Sequence, residues 1–147
     1  MKFQQIAYGS PSYQKELLLR DAVLRKPLGL ALENDDLSQE GYQWHFGLFD
    51  GDHLIACVIA APMSEELIQL RQMAVSSQFQ GHGFGRLLVQ TLEKTLWEKG
   101  FKKIILHARV QVFGFYVRLG YTSIGEPFEE VGIPHQCMQK NILRSRS

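Results

Sequence analysis

The chain predicts an α/β fold, a central mixed and mostly antiparallel sheet flanked by helices, on three observations. Two apolar runs, residues 44–49 and 54–61, are joined by Asp50-Gly51-Asp52, and Asp-Gly between such runs marks a hairpin. Phe84, Leu87, Leu88, Thr91, Leu92, Thr95 and Leu96 recur at helical spacing, with Arg86, Glu93, Lys94 and Glu98 on the other side, the pattern of an amphipathic helix. That helix lies between two aliphatic runs, residues 66–75 and 103–108. The order is a meander, then strand–helix–strand, then helix and strand, which a mixed sheet covered by helices on both faces accommodates most simply.

The elements follow in order. Residues 2–8 read as a first strand, ended by the turn signal Gly9-Ser10-Pro11. From Ser12 a helix is expected, with Leu17, Leu18, Val23 and Leu24 as its apolar residues. It should stop before Pro27, because the residue preceding a proline disfavours helix. Residues 33–41 are acidic and polar and read as a loop with a short helix. Residues 66–75 are aliphatic enough for a sheet buried on both faces. Gly100 is placed to end the amphipathic helix. Residues 111–119 read as a short helix and residues 136–142 as the closing strand.

A chain of 147 residues fits one domain with its own core. A formal net charge of +1 gives no basic face for nucleic acid, so no nucleic-acid partner is expected. Cys57 and Cys137 are too few for a disulfide framework and wrongly spaced for zinc; they are expected as packed thiols, and no metal is expected. Residues 1–12 lack the apolar core of a signal peptide, and no apolar run approaches membrane-span length. A cytoplasmic location without a membrane partner is the expectation.

The chemistry concentrates at Gln80-Gly81-His82-Gly83-Phe84-Gly85. Alternating glycines permit unusual backbone angles and remove Cβ atoms from a close approach. A helix start presents unpaired N–H groups and a positive dipole end, so it holds a phosphate without a lysine. The competing reading is a tight strand-to-helix turn with no ligand. Two nucleotide motifs fit poorly. A P-loop requires GxxxxGK[ST], and no such lysine follows. A Rossmann fingerprint requires GxGxxG with an acidic ribose ligand, whereas this is GxGxG.

Leu70-Arg71-Gln72-Met73-Ala74-Val75, continued through Gln80 to Gly85, resembles motif A of the GCN5-related N-acetyltransferases (GNATs). Gln80, Gly83 and Gly85 fill the three defining positions of [RQ]xxGx[GA]. Phe115-Tyr116-Val117-Arg118-Leu119-Gly120-Tyr121 resembles the family's second signature, FYxxxG[FY]. Glu126-Pro127-Phe128 and Gly132-Ile133-Pro134-His135 further resemble the small bacterial ElaA-like and YjcF-like branch. The resemblance covers about residues 44–142.

The resemblance implies a GNAT-like fold and transfer of acetyl from acetyl-CoA to a primary amine, on a small molecule or a peptide. It assigns Gln80, Gly81, His82, Gly83, Phe84 and Gly85 to the CoA pyrophosphate, with Arg86 either an added contact or a solvated residue. It assigns the backbone of Met73, Ala74 and Val75 to the pantetheine arm. An N–H near Met73 or Ala74 would face the oxyanion. Tyr116 matches the family's tyrosine acid, and a phenol of pKa ~10 stays protonated at neutral pH. For the base, His107 and His135 titrate in the useful range, and a structural hydrogen-bonding role competes for each. Arg109 stands where many members have asparagine. Residues 20–36 are implied in walling the acceptor site, with Glu33, Asp35 and Asp36 facing a cationic amine or simply solvated. A non-catalytic acyl-CoA-binding regulatory domain remains the alternative, and an exposed sheet end is compatible with a homodimer.

Overall fold

The structure is a computed structural model that describes residues 1–142. Its seven strands are β1 (Lys2–Ile6), β2 (Trp44–Asp50), β3 (His53–Pro62), β4 (Leu67–Val75), β5 (Lys103–Arg109), β6 (Thr122–Glu130) and β7 (Ile133–Asn141). They form one sheet in the order β1-β2-β3-β4-β5-β7-β6. β1/β2, β2/β3, β5/β7 and β6/β7 pair antiparallel and β4/β5 pairs parallel. The helices are α1 (Pro11–Arg20), α2 (Phe84–Glu98) and α3 (Phe113–Arg118). The predicted mixed sheet flanked by helices is therefore present. The chain divides into two compact units, Met1–Ala61 with Gln72–Leu92, and Pro62–Arg71 with Glu93 onward.

In the first unit, Ser10 caps α1 by accepting from Tyr13 N at 3.2 Å, and Pro11 follows at the first helical turn. There the missing proline N–H costs nothing. The α-helix ends at Arg20, earlier than expected. It passes into a single π turn (Asp21–Arg25), in which Lys26 N reaches back to Asp21 O, and then a 3-10 turn (Lys26–Leu28). Pro27 sits inside that turn, where it cannot donate an α-helical bond. Leu17, Leu19, Val23 and Leu24 pack on Ile6, Tyr13, Phe49, Leu54, Cys57 and Ala74. Leu18, expected on the apolar face, is 72% exposed.

A bulge in β3 shapes this core. Leu48 opposes Ala56 and Phe49 opposes Leu54, so Ile55 is the extra residue. The insertion returns Leu54 to the face that Cys57 occupies. Gly47 lies beneath them. A Cβ there would stand 2.7 Å from Leu54 Cδ1, 2.9 Å from Phe49 Cε2 and 3.0 Å from Ile6 Cδ1. The buried stripe of α2 also differs from the expected one. Leu88, Val89, Leu92 and Leu96 are fully buried, while Leu87 is exposed.

In the second unit, β4 and β5 pair only from Leu67↔Lys103 to Leu70↔Leu106. A 3-10 turn (Val110–Val112) leads into α3, which is shorter than the helix expected over residues 111–119. β6 was not expected at all. Its sequence TSIGEPFEE contains glycine, proline and three glutamates, and only Ile124 and Phe128 are even partly buried. It pairs with β7 alone at the sheet edge, where proline and charge are tolerated because one side of the strand needs no partner. On the same unit, Tyr121 is buried and donates to Glu93 at 2.8 Å. Lys140 Nζ bonds both Glu93, at 2.9 Å, and Leu119 O, at 2.6 Å, closing the C-terminus of α3. Among the described residues, no helix is long and apolar enough to cross a membrane.

Candidate functional site

The predicted cofactor residues are consecutive pieces of the first unit. After Met73, Ala74 and Val75 end β4, Ser76 N donates to Ile55 O at 2.9 Å and Phe79 N to Ser76 O at 2.8 Å. Gln80 Nε2 reaches back to Val75 O at 2.9 Å, tying the loop to the strand that precedes it. Gly81 and Gly83 then adopt φ of +81° and +83°. An added Cβ at either would meet nothing within 4 Å, so the glycines serve backbone angle and not internal space. Leu87 N is bonded to Gly83 O, which leaves the N–H groups of Phe84, Gly85 and Arg86 as first-turn donors with no carbonyl one turn earlier. Phe84 packs against Phe79 and His82, with ring centroids 6.0 and 6.3 Å apart. His82 and Arg86 are exposed. Alternating left-handed glycines at a helix start make an anion-binding concavity.

Immediately before Met73, Gln72 has φ of +55° inside a strand, a conformation costly for a residue with a Cβ. Its side-chain Oε1 accepts from Arg20 Nε at 3.4 Å, and its carbonyl faces Cys57 Sγ at 3.9 Å. Arg20 is fully buried. Its Nη1 donates to Glu16 at 2.9 Å and to Glu40 at 2.8 Å, and its Nη2 to Glu40 at 2.6 Å. Tyr13 donates to the same Glu40 at 2.6 Å. His45 completes the cluster, with Nδ1 2.9 Å from Glu16 and Nε2 2.9 Å from the Glu40 carbonyl. Both ring nitrogens face groups that can only accept, so both carry hydrogen and the ring is an imidazolium. Two carboxylates thus meet two cations, and the buried cluster carries no net charge.

The electrostatics agree. Burial opposes charge on His45, but the Glu16 hydrogen bond and charge, then Glu40, outweigh it and hold the imidazole above its ordinary value. Burial would likewise raise Glu40, yet Arg20 and Tyr13 hold it below the usual range. Glu16, Glu40 and His45 place potential ligand atoms within 4.8 Å of one another. Their ligand atoms are already engaged by the Arg20 guanidinium and by each other, which is the chemistry of an ion-pair cluster and not of a metal cage.

This cluster corrects the reading of residues 20–36 as an acceptor wall. Arg20 lies inside, and Asp35 is paired with Arg25 at 2.7 and 3.0 Å. Glu40 belongs to a segment read as a polar loop yet is 1% exposed. A signal was available: Tyr13, Glu16 and Arg20 recur at the spacing of one helix face, with an acid–base pair at i,i+4.

The second unit holds the catalytic candidates. Tyr116 on α3 is 7% exposed, with its ring edge-on to Phe115 and Tyr121 at 5.0 and 5.6 Å. Burial pushes its phenol above the ordinary value, so it stays protonated at neutral pH but is a weaker acid than the unperturbed phenol assumed. His107 and His135 converge on one carboxylate that the sequence did not single out. His107 Nδ1 is 3.2 Å from Glu130 Oε1, and His135 Nε2 is 3.5 Å from Glu130 Oε2. His135 is buried and its Nδ1 bonds Ile133 O at 2.9 Å. Arg109 pairs across β7 with His135. Cys57 is fully buried and Cys137 half-buried, both free.

Comparison with known proteins places these features. The family model described as acetyltransferase (GNAT) domain matches residues 28–142. The N-acetyltransferase YitI of Bacillus subtilis is 33% identical over 110 residues, covering 70% of this chain and 74% of YitI. The chain spans about half the length of two other curated Bacillus subtilis relatives, 52% of one and 49% of the other. Among solved structures, Escherichia coli ElaA superposes with a TM-score of 0.78 at 26% identity, covering 96% of this chain and 100% of ElaA. A GNAT family acetyltransferase of Elizabethkingia anophelis with acetyl-CoA bound superposes with a TM-score of 0.70 at 18% identity, over 95% of this chain and 97% of that one. The glycine cradle after β4, the tyrosine-bearing α3 and these matches together make the chain a member of the GNAT acetyltransferase family, in the small bacterial branch that includes ElaA.

Proposed function

We propose that residues 1–147 form a single N-acetyltransferase domain that moves the acetyl group of acetyl-CoA to a primary amine by direct attack in a ternary complex. The observation that carries this reading is the pair of left-handed glycines, Gly81 and Gly83, opening α2 directly after β4. The Elizabethkingia relative with acetyl-CoA bound supports acetyl-CoA as cosubstrate. The loop N–H groups and the start of α2 take the pyrophosphate, and the backbone of Met73, Ala74 and Val75 takes the pantetheine arm. Arg86, exposed after the loop, adds charge near the phosphates. The free thiols Cys57 and Cys137 suit a reducing cytoplasm.

In the reaction, the acceptor ammonium first loses a proton. The amine lone pair attacks the thioester carbon, and a backbone N–H near Met73 or Ala74 faces the developing oxyanion. Collapse breaks the carbon–sulfur bond, Tyr116 protonates the departing thiolate, and the amine nitrogen gives up its second proton. The products are the N-acetyl amine, CoA thiol and one net proton.

The test titrates acetyl-CoA by calorimetry and follows CoA release over a panel of small amines and peptides, for the wild type and Tyr116→Phe. Binding by both, with turnover about 10²-fold lower in the variant, supports the enzyme. Binding without turnover of any amine supports an acyl-CoA-binding regulatory domain. Absence of acetyl-CoA binding would falsify both.

A further inference from the structure

We propose that Glu130 and His107 form a carboxylate–imidazole pair in which Nε2 of His107 takes the proton from the acceptor ammonium, and Glu130 is the positioning residue. The proposal rests on the acetyl-transfer reading and names a base for it.

The register builds the pair. β5 and β7 align Arg109 with His135 and His107 with Cys137, while β6 and β7 align Phe128 with His135 and Glu130 with Ile133. Residues paired across a sheet share a face, as do alternate residues along a strand. His107, Phe128, Glu130 and His135 therefore stand on one face. The β6–β7 turn is held tightly. Val131 and Gly132 both have positive φ, +46° and +78°, the signature of a two-residue hairpin. A β-branched residue in that region is strained, and the turn it makes sets Glu130 beside the start of β7. Phe128 sits between the two imidazoles, 4.9 Å from His107 edge-on and 5.9 Å from His135 in a stack.

Hydrogen-bond logic then assigns the tautomers. A carboxylate oxygen only accepts, so His107 Nδ1, 3.2 Å from Glu130 Oε1, carries the hydrogen. Its Nε2 holds the lone pair on a side chain that is 34% exposed. His135 is arranged differently. Its Nδ1 is committed to the Ile133 carbonyl and its side chain is 4% exposed, so it anchors the far oxygen of Glu130 and is out of reach of an acceptor. Of the two histidines the sequence offered, the geometry selects His107. In the step, one ammonium N–H bond breaks and its proton adds to Nε2. The imidazolium so formed keeps its Nδ1–H on Glu130, whose carboxylate lies against the ring gaining charge. The proton then passes to water.

Protein labelled with ¹⁵N in its histidines tests the pair, because ring-nitrogen shifts report tautomer directly; His107 is assigned by the signals lost in His107→Gln. The wild type is expected to show His107 protonated at Nδ1 and bare at Nε2. Glu130→Ala should move both nitrogens toward averaged values, and Glu130→Gln, whose amide oxygen still accepts, should restore the wild-type pattern. In the amine panel, His107→Ala and His107→Gln should lose about 10²-fold or more in kcat with acetyl-CoA affinity within about twofold. Added imidazole should recover part of the loss in His107→Ala, and Glu130→Ala should lose at least about tenfold. An unchanged tautomer in Glu130→Ala, or wild-type turnover in His107→Ala, overturns the proposal. Failure of the wild type to bind acetyl-CoA or to acetylate any amine instead overturns the acetyl-transfer reading.

Discussion

Arg20 and Glu40 meet through two parallel N–H···O bonds of 2.8 and 2.6 Å, with both side chains withdrawn from solvent. The pair joins α1 to the 3-10 turn Glu40–Tyr42 that leads into β2, and Arg20 extends the link to Gln72, the strained residue before Met73. A bidentate arginine holds direction as well as charge. The first unit thus fixes the backbone ahead of the cofactor strand with a polar cluster where aliphatic packing would be the more usual choice.

Breaking that pair from one side leaves a carboxylate buried without its cation. Arg20→Met should lower the unfolding free energy by about 3–5 kcal/mol, measured by urea denaturation. Arg20→Lys should fall between, because one ammonium cannot reproduce the fork. A loss below about 1 kcal/mol for Arg20→Met would show that Glu16 and Glu40 find other partners or water.

The same cluster sets a pH dependence with two limbs. His45 is held above its ordinary value of 6.5, so its contribution is complete below that pH and is lost as pH rises through the folded value. Glu40 is held below its ordinary 4.5, so its contribution is complete above that pH and is lost as pH falls through the folded value. Stability from these groups should therefore peak between the two ordinary values. Urea midpoints measured across pH should show both limbs, and His45→Gln should remove the upper one while leaving the lower. Persistence of the upper limb in that variant would place its origin in another group.

How much of this was legible in the sequence depended on whether the signal was local. The cofactor loop was readable because glycine spacing and a following amphipathic helix are local, and the φ values of Gly81 and Gly83 are what that spacing requires. The hairpin at Gly51 was readable for the same reason. β6 was hidden because an edge strand needs neither alternation nor β-formers, and Gly125, Pro127 and the glutamates imitate a loop. The ion cluster was hidden because charged residues are rarely buried and its partners come from α1, residue 40, β2 and β4. Glu130 escaped notice because an exposed glutamate has no signature until the β6–β7 register sets it against His107.

The glycine cradle yields a prediction that separates backbone angle from space. At Gly83 an added methyl meets nothing within 4 Å, yet φ is +83°. Gly83→Ala should cost only the left-handed penalty, about 1–2 kcal/mol, if the loop keeps its shape. If the loop relaxes instead, stability is spared and the N–H groups turn away. In either case acetyl-CoA affinity should fall at least about tenfold, measured by calorimetry, because the anion site depends on that angle. Wild-type affinity in Gly83→Ala and in Gly81→Ala would remove the cradle from the cofactor site.

Gly47 gives the opposite case, where space decides. Its φ is ordinary, but a Cβ would stand within 2.7–3.0 Å of Leu54, Phe49 and Ile6. All three are buried, and they converge because the bulge at Ile55 returns Leu54 to this face. A single flexible chain end could give way; three packed ones cannot all move without opening gaps behind them. Gly47→Ala should therefore destabilise by about 1–3 kcal/mol, despite alanine's better strand entropy. Pairing it with Leu54→Val, which shortens the nearest side chain, should recover part of the loss. The double variant should then be more stable than the sum of the two single changes predicts. Strict additivity in urea denaturation would mean that Leu54 is not the obstacle.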